Sequence, residues 1–356
     1  MSERHEGTGR GDAPEGIHPA GVTGWFATNI AEVEPPLHFE LIAGGRSNLT
    51  YLVTDSAGRR YVLRRPPTGH LLPTAHDMSR EHRIIAALAP AGIPVAPALG
   101  LCTDDSVNGA PFYVMAFVDG HIVRTAEEAE AELDEQARGR AGESLVDTLA
   151  QIHRVDPDEV GLGDLGRKEG YIGRQLKRWY AQYQASRDDH GGPNVASVDE
   201  VHGLLSSRIP EQGPAGIVHG DYRLDNTVVD DKGRVVAVLD WELCTLGDTL
   251  ADLGQLLVYW NQDGEASPLQ QSATSAPGFV AREDLVARYR EISGRDLSQL
   301  DFYVAFAYWK LACILEGVYT RYLGGAMGRT DFDFSFYPAS IAALADAALE
   351  AAGRLG

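Results

Sequence analysis

Residues 217–226 read Ile217-Val218-His219-Gly220-Asp221-Tyr222-Arg223-Leu224-Asp225-Asn226, and after a short hairpin the chain continues Val238-Leu239-Asp240-Trp241-Glu242. This pattern sets an Asp, an amide and a second Asp around one turn. Phosphoryl transfer needs those residue types: a carboxylate to orient or deprotonate the attacking hydroxyl, and oxygen ligands for a cation that neutralises polyphosphate charge. Asp221 takes the first role, and Asn226 and Asp240 the second, as ligands of Mg²⁺. Asp221 and Asn226 stand at opposite ends of one short loop. The hairpin 227–230 and 235–240, turned by Asp231-Lys232-Gly233, brings Asp240 back beside Asn226. The plain alternative is that His-Gly-Asp is a turn and Asp240 a strand-end cap.

Working outward toward the N-terminus, 37–43, 49–54 and 60–65 read as short strands separated by turn residues, followed by a helix over 75–88 and a strand over 111–118. Beyond Asp119 the periodicity is mainly helical: 139–154, 171–186, 198–207, 249–260, 281–292, 297–322 and 337–352. The composition of 188–196 and 263–278 is that of loops. The division expected is a disordered tail over 1–24, an N-terminal nucleotide-binding lobe over 25–118 and a C-terminal catalytic and substrate lobe over 119–356.

The string His219-Gly220-Asp221 with Asn226 five residues on, and Asp240 after a hairpin, resembles the aminoglycoside phosphotransferase and choline kinase superfamily, over about 37–325. Within it, Gly44-Gly45-Arg46-Ser47-Asn48, Tyr61-Val62-Leu63-Arg64-Arg65-Pro66-Pro67 and Leu239-Asp240-Trp241-Glu242 are most similar to the phosphotransferase domains associated with acyl-CoA dehydrogenases. The resemblance implies an α+β, bilobal protein-kinase-like fold, with a small β-rich N-terminal lobe and a larger helical C-terminal lobe. ATP would lie between the lobes. It further implies that Asp248 supports the catalytic loop through His219, and that the segment containing Met115 and Phe117 reads adenine through its backbone.

A kinase-like N-terminal lobe also calls for a phosphate-covering turn, a cation on the third strand and a helical Glu to hold that cation. Gly45, Ser47 and Asn48 supply the turn, where small residues let backbone N–H groups approach phosphate; a plain hairpin turn is the other reading. Arg64 stands where the family usually has Lys, with Arg65 as the rival. Met78, Glu81, Ile85 and Leu88 share one helical stripe, so Glu81 faces inward and requires a partner. Arg64 is the partner a kinase fold needs; Arg80 or Arg83 is the local alternative.

The chain has 356 residues, 44% of them hydrophobic, enough for a substantial core in two lobes. Its formal charge of −20 argues against nucleic-acid and anionic-membrane partners. Any bound phosphate must then meet local cations or a metal. Three cysteines in dissimilar contexts support neither a disulfide framework nor a zinc site. Met1 to Gly24 lacks the apolar core of a signal peptide and no apolar run is long enough to span a bilayer, so a cytoplasmic protein is expected.

Other signals carry less. The acidic run 127–135 reads as an exposed helical face. Gly161-Leu162-Gly163-Asp164-Leu165-Gly166 spells the dinucleotide fingerprint but follows no strand, so it is read as a loop. Asp240 is followed almost at once by Gly247-Asp248-Thr249, which leaves no room for a protein-substrate activation segment. Lys310 and Arg321 lie about three helical turns apart on one face; they could receive an anionic acceptor, though snorkelling surface cations are the simpler reading. The expected activity is transfer of the γ-phosphate of ATP to a hydroxyl of a small molecule. A hydroxyacyl-CoA is the acceptor the resemblance favours, an aminoglycoside or amino alcohol the one net charge favours. A nucleotide-binding pseudokinase or scaffold is the alternative of another class.

Overall fold

The computed structural model describes residues 14–43, 48–68, 77–190, 195–262, 264–265, 272–325 and 333–355. The chain forms two compact units, one made of 1–86 with 96–117, the other of 87–95 with 118–356.

In the first unit, helix α1 (Pro19–Asn29) precedes strands β1 (His38–Ala43), β2 (Leu49–Thr54) and β3 (Arg60–Arg65); helix α2 (Met78–Leu88), strand β4 (Ala98–Cys102), a single turn α3 (Asp105–Asn108) and strand β5 (Phe112–Ala116) follow. The five strands form one antiparallel sheet in the order β1-β2-β3-β5-β4. Strand residues alternate between faces, and Tyr51, Val53, Tyr61, Leu63, Phe112 and Val114 build a core with Val22, Phe26 and Ile30 of the α1 region. Phe26 meets Tyr61 edge to face at 5.8 Å, and Trp25 meets Phe112 at 4.9 Å.

Helix α1 corrects the expectation of a disordered tail over 1–24 as far as residues 19–24 are concerned; residues 1–13 of that expectation lie outside the described residues. Its sequence, Pro-Ala-Gly-Val-Thr-Gly-Trp-Phe-Ala-Thr-Asn, is poor in helix formers, and only Val22 and Phe26 are buried. Gly21 follows from the packing: a Cβ there would stand 2.2 Å from the Val107 carbonyl oxygen, so the helix reaches α3 only without a side chain. Tertiary contact overrides local propensity here.

The second unit is mainly helical: α4 (Ala126–Glu132), α5 (Glu135–Ile152), α6 (Tyr171–His190), α7 (Ala196–Ser207), α8 (Leu250–Tyr259), α9 (Arg282–Ser293), α10 (Leu300–Leu323) and α11 (Tyr337–Ala352). Between α7 and α8 lie two small antiparallel pairs. Strand β6 (Gly216–Val218) pairs with β9 (Thr245–Gly247), and β7 (Thr227–Val229) pairs with β8 (Val235–Val238). Aromatic residues Tyr183, Phe302, Tyr303, Phe306 and Trp309 fill the core shared by α6, α7, α8, α10 and α11. The acidic run 127–135 forms α4 and the start of α5, with Thr125 and Asp134 as side-chain caps. Residues 161–166 follow α5 in turns with no preceding strand. Among the described residues, no helix is long and apolar enough to cross a membrane.

Phe26→Ala empties the contact between α1 and the sheet. It should lower unfolding stability by about 3–5 kcal/mol in a denaturant titration, whereas a segment that stayed disordered would give no change.

Candidate active site

Strand β6 delivers the chain into the His-Gly-Asp turn. Gly220 has φ +87°, and a Cβ there would approach the Leu243 carbonyl oxygen to 2.9 Å, so the turn requires glycine twice over. The N–H groups of His219 and Gly220 donate to the two carboxylate oxygens of Asp252, at 2.6 and 2.9 Å. Asp252 lies on α8 and is 1% exposed. His153 Nε2 stands 3.4 Å from the same carboxylate, and His153 Nδ1 stands 2.7 Å from the Tyr289 hydroxyl. Burial pushes the Asp252 carboxyl upward, but the His153 contact and the loop N–H groups outweigh it and hold it below the ordinary range. His153 is displaced downward by burial, against the pull of Asp252. A neutral ring receiving the Tyr289 proton at Nδ1 then carries its own at Nε2, toward Asp252.

Asp221 is held at both oxygens. Gln255 Nε2 donates to Oδ1 at 2.7 Å and Asn226 Nδ2 to Oδ2 at 2.9 Å. The same Asn226 nitrogen donates to the Asp221 carbonyl oxygen at 2.9 Å. His219 Nδ1 accepts the Asp221 N–H at 3.2 Å, while its Nε2 lies 2.9 Å from the Leu239 carbonyl oxygen, so the imidazole ties the turn to the end of β8. Arg223 reaches Asp225 at 2.8 Å and stacks over Tyr259, its guanidinium carbon 4.7 Å from the ring centroid. Burial works against the Arg223 charge, yet Asp221, Tyr259, Asp225 and Asp240 overcome it and raise its pKa.

Asp221, Gln255 and Lys310 meet in a cavity of about 150 Å³ whose other walls include Leu243, Val258, Ala307, Leu311 and Ile314. Of the residues lining it, Asp221 is the one carboxylate. Lys310 is 7% exposed; its Nζ donates to the Gly220 carbonyl oxygen and to Gln255 Oε1, both at 2.9 Å. The expectation of a snorkelling surface lysine fails because α10 packs through the middle of the unit and turns this face toward the loop.

The Leu239 N–H donates to the Asn226 carbonyl oxygen at 2.8 Å, which places Asp240 alongside Asn226 as the chain leaves β8. Asp240 has φ +60°, a left-handed conformation uncommon outside glycine and one that clusters at functional sites. Since the Asn226 nitrogen is committed to Asp221, its side-chain oxygen is the atom left to face a cation. Among the described residues, no group of three or more His, Cys, Asp or Glu could hold a metal ion. One amide oxygen and one carboxylate suit a magnesium-like cation that completes its shell with water and phosphate oxygens. The donor set fits such an ion and does not suit a closed protein cage.

In the first unit, Arg64 Nε pairs with Glu81 Oε2 at 3.0 Å. Glu81, 2% exposed, also accepts from Asn48 Nδ2 at 2.7 Å and from the Tyr113 hydroxyl at 3.1 Å. The rival, Arg65, is buried and spends its guanidinium on the backbone carbonyl oxygens of Gly16, Pro66 and Asn108. Met115 pairs with Val62 in the sheet, and Phe117 lies under the Arg60 guanidinium, 4.1 Å from ring centroid to carbon. Gly45 and Ser47 lie outside the described residues.

One support is corrected. Asp248 accepts from the Tyr303 hydroxyl at 2.7 Å and from the Leu250 N–H at 3.3 Å, and it is Asp252 that bonds to the His-Gly-Asp turn. Sequence reading also missed Gln255 and Arg223. A signal existed for the first: Asp252 and Gln255 are the polar residues of the otherwise apolar stretch 250–258, three apart on one face, and a buried polar residue requires a partner.

Comparison with known proteins agrees with this geometry. The profile of the phosphotransferase enzyme family matches residues 38–285. The chain is 36% identical over 323 residues to acyl-CoA dehydrogenase family member 11 of Gallus gallus, covering 88% of this chain and 40% of that protein. The matched region thus spans about two fifths of the length of such relatives. A Ralstonia eutropha protein provisionally assigned as an aminoglycoside phosphotransferase superposes with a TM-score of 0.77 at 29% identity, over 95% of this chain and 99% of that one. An amicoumacin kinase solved in complex with AMP-PNP and Ca²⁺ shares the fold, with a TM-score of 0.59 at 17% identity over 92% of each chain.

Asp252→Asn should cost about 2–4 kcal/mol at neutral pH, since one acceptor of a buried pair is lost. The sign with pH follows from the lowered carboxyl: its contribution is present above the ordinary carboxylate pKa and disappears as pH falls through the folded value. Melting curves of the two proteins should therefore converge on acidification; a gap independent of pH would contradict the assignment.

Proposed function

Because this chain belongs to the phosphotransferase enzyme family, we propose that it is a small-molecule kinase, dependent on ATP and Mg²⁺, that phosphorylates a hydroxyl group of an acyl thioester. The observation that carries this reading is the Asp221 carboxylate, held at both oxygens and set in the wall of an otherwise largely apolar cavity.

Asp221 receives the acceptor hydroxyl and orients it for in-line attack on the γ-phosphorus of ATP, taking its proton as the new P–O bond forms and the bond to the departing ADP breaks. Asn226 and Asp240 would hold the cation, which would supply positive charge to offset that of the phosphates. His219 keeps the turn against β8, and Asp248 steadies the start of α8 through Tyr303. In the first unit, Glu81 fixes Arg64 for the phosphates, Gly45, Ser47 and Asn48 cover them, and the backbone around Met115 and Phe117 takes the adenine. Most of the rate comes from positioning and charge stabilisation.

Cavity size and lining bear on the acceptor. At about 150 Å³, the space beside Asp221 is smaller than the roughly 300–1,000 Å³ of drug-sized ligand pockets and suits a short hydroxylated segment. Leu243, Val258, Leu311 and Ile314 favour an alkyl chain there. A polyamine acceptor would want several carboxylates, and Asp221 alone lines the space. The opposing observation is the net charge of −20, which favours a cationic acceptor such as an aminoglycoside or amino alcohol through its long-range field. Contact at the reacting end is the more specific of the two.

A mass-spectrometric screen with Mg-ATP against hydroxyacyl-CoAs, aminoglycosides and amino alcohols tests the proposal. The expected result is a phosphorylated product in the hydroxyacyl-CoA set, with Asp221→Asn binding ATP normally but turning over about 10²–10⁴-fold more slowly. Product from the amine-bearing acceptors alone would move the assignment to them. Mg-ATP binding without transfer to any acceptor would favour the pseudokinase, and full turnover by Asp221→Asn would remove the base. Arg64→Ala should raise KM for ATP about tenfold, the loss of one charge-assisted phosphate contact, with a smaller change in the acceptor's KM.

A further inference from the structure

Lys310 is a charged side chain in a position where packing alone would favour an apolar one. It is 7% exposed, its Nζ is 6.0 Å from the centre of the Trp179 ring, and Ala307, Leu311 and Ile314 of the same helix line the adjoining cavity. Desolvating an ammonium is expensive, and a methionine of similar length would fill the space without that cost. What the lysine adds is geometric.

An ammonium has donors and no acceptor, so the Gln255 atom 2.9 Å from Lys310 Nζ must be the amide oxygen. The amide nitrogen then points the other way, at Asp221 Oδ1, 2.7 Å distant. Flipping the amide would set NH₂ against an ammonium and a carbonyl against a carboxylate, two repulsive contacts at once. A second bond from the same Nζ, to the Gly220 carbonyl oxygen at 2.9 Å, anchors the lysine to the residue that precedes Asp221. Asn226 fills the other carboxylate oxygen at 2.9 Å. The Asp221 carboxylate is thereby fixed from two sides, by α8 and α10 at Oδ1 and by its own loop at Oδ2.

We propose that Lys310 and Gln255 form a positioning relay, in which Lys310 sets the Gln255 amide and Gln255 aims the Asp221 carboxylate at the acceptor hydroxyl entering the cavity. The relay rests on the assignment of Asp221 as the group that receives that hydroxyl. Neither residue touches the phosphates in this scheme; both act through Asp221. Misplacing a reacting group by an ångström can cost on the order of 10² in rate, and this sets the size of the effect.

The test uses the full chain with Lys310→Met, Gln255→Leu, Gln255→Glu and the Lys310→Met/Gln255→Leu pair, measuring melting temperature, KM for ATP, and kcat both with the hydroxyl acceptor that the screen identifies and for ATP hydrolysis by water. Each single variant should lose about 10–100-fold in kcat with acceptor, while KM for ATP stays within about twofold. Lys310→Met should melt at or above the wild-type temperature, a separation of stability from turnover that a structural lysine would not show. Gln255→Glu is isosteric and keeps its partner on Lys310, yet loses the donor to Asp221; it should fall with Gln255→Leu. The pair should be no slower than the slower single variant, because members of one relay are not additive.

Wild-type kcat in Lys310→Met and Gln255→Leu would overturn the proposal, as would loss of activity that tracks loss of folded protein in every variant. A crystal structure of Lys310→Met supplies the readout that does not depend on turnover. The bond from Gln255 Nε2 to Asp221 Oδ1 should lengthen beyond hydrogen-bonding distance, and its persistence would overturn the relay. If that bond breaks as expected while the wild-type protein transfers phosphate to neither acceptor nor water, the relay stands as geometry and the assignment of Asp221 as base is what fails.

Discussion

Two convergent backbone N–H groups, those of His219 and Gly220, end on the carboxylate of Asp252, and the site depends on that arrangement. Each side of it needs the other. A turn with φ +87° at Gly220 exposes N–H groups that no strand partner satisfies, and such groups cost heavily when buried. A carboxylate 1% exposed is equally costly without donors. Gln255 lies one helical turn beyond Asp252 on the same helix, so α8 sets both the backbone of the His-Gly-Asp turn and the side chain of its aspartate. Helix α10 holds α8 in turn, through Tyr303 to Asp248 and Lys310 to Gln255.

The His-Gly-Asp turn shares the acidic balance of the chain but interleaves it with cations: against −20 overall, it gathers Arg223 and Lys310 among Asp221, Asp225 and Asp240. Arg223 is aligned by its ion pair with Asp225 and by the Tyr259 face, two restraints that fix the direction of its guanidinium.

The parts of this architecture legible in the sequence are those written in short spacings. Asp221, Asn226 and Asp240 were recognisable because one loop and one hairpin bring them together, and Glu81 because an acid on an apolar helical stripe demands a partner. Arg64 as its partner comes from the family resemblance, which sets Arg64 where a Lys usually stands and leaves Arg65 as the rival. What stayed hidden depends on contacts between segments far apart in the chain. Helix α1 has almost no propensity of its own and forms against the sheet through Phe26 and Trp25. Lys310 looked like a surface cation since α10 is apolar nearly all round, and no periodicity says which side faces the loop. Asp248 as the loop's support is what the family resemblance implies, whereas the bonds from the His219 and Gly220 N–H groups to Asp252, one turn later, are tertiary information. Strands β6 and β9, three residues each, are too short to leave a pattern.

The substitution of Arg64 for the lysine usual in such folds bears on whether the nucleotide half of the site is competent. Lysine offers a single nitrogen that must serve both a glutamate and a phosphate. Arginine offers a planar fork of several donors instead, and its Nε lies 3.0 Å from Glu81 Oε2. The longer guanidinium requires Glu81 to be held firmly if the fork is to keep its direction, and Asn48 and Tyr113 do so from two further elements. Replacing one of a matched pair without adjusting the other would leave a buried carboxylate badly paired. Here the buried Glu81 carboxylate meets an amide and a hydroxyl alongside the larger cation, so its desolvation is offset from three elements at once.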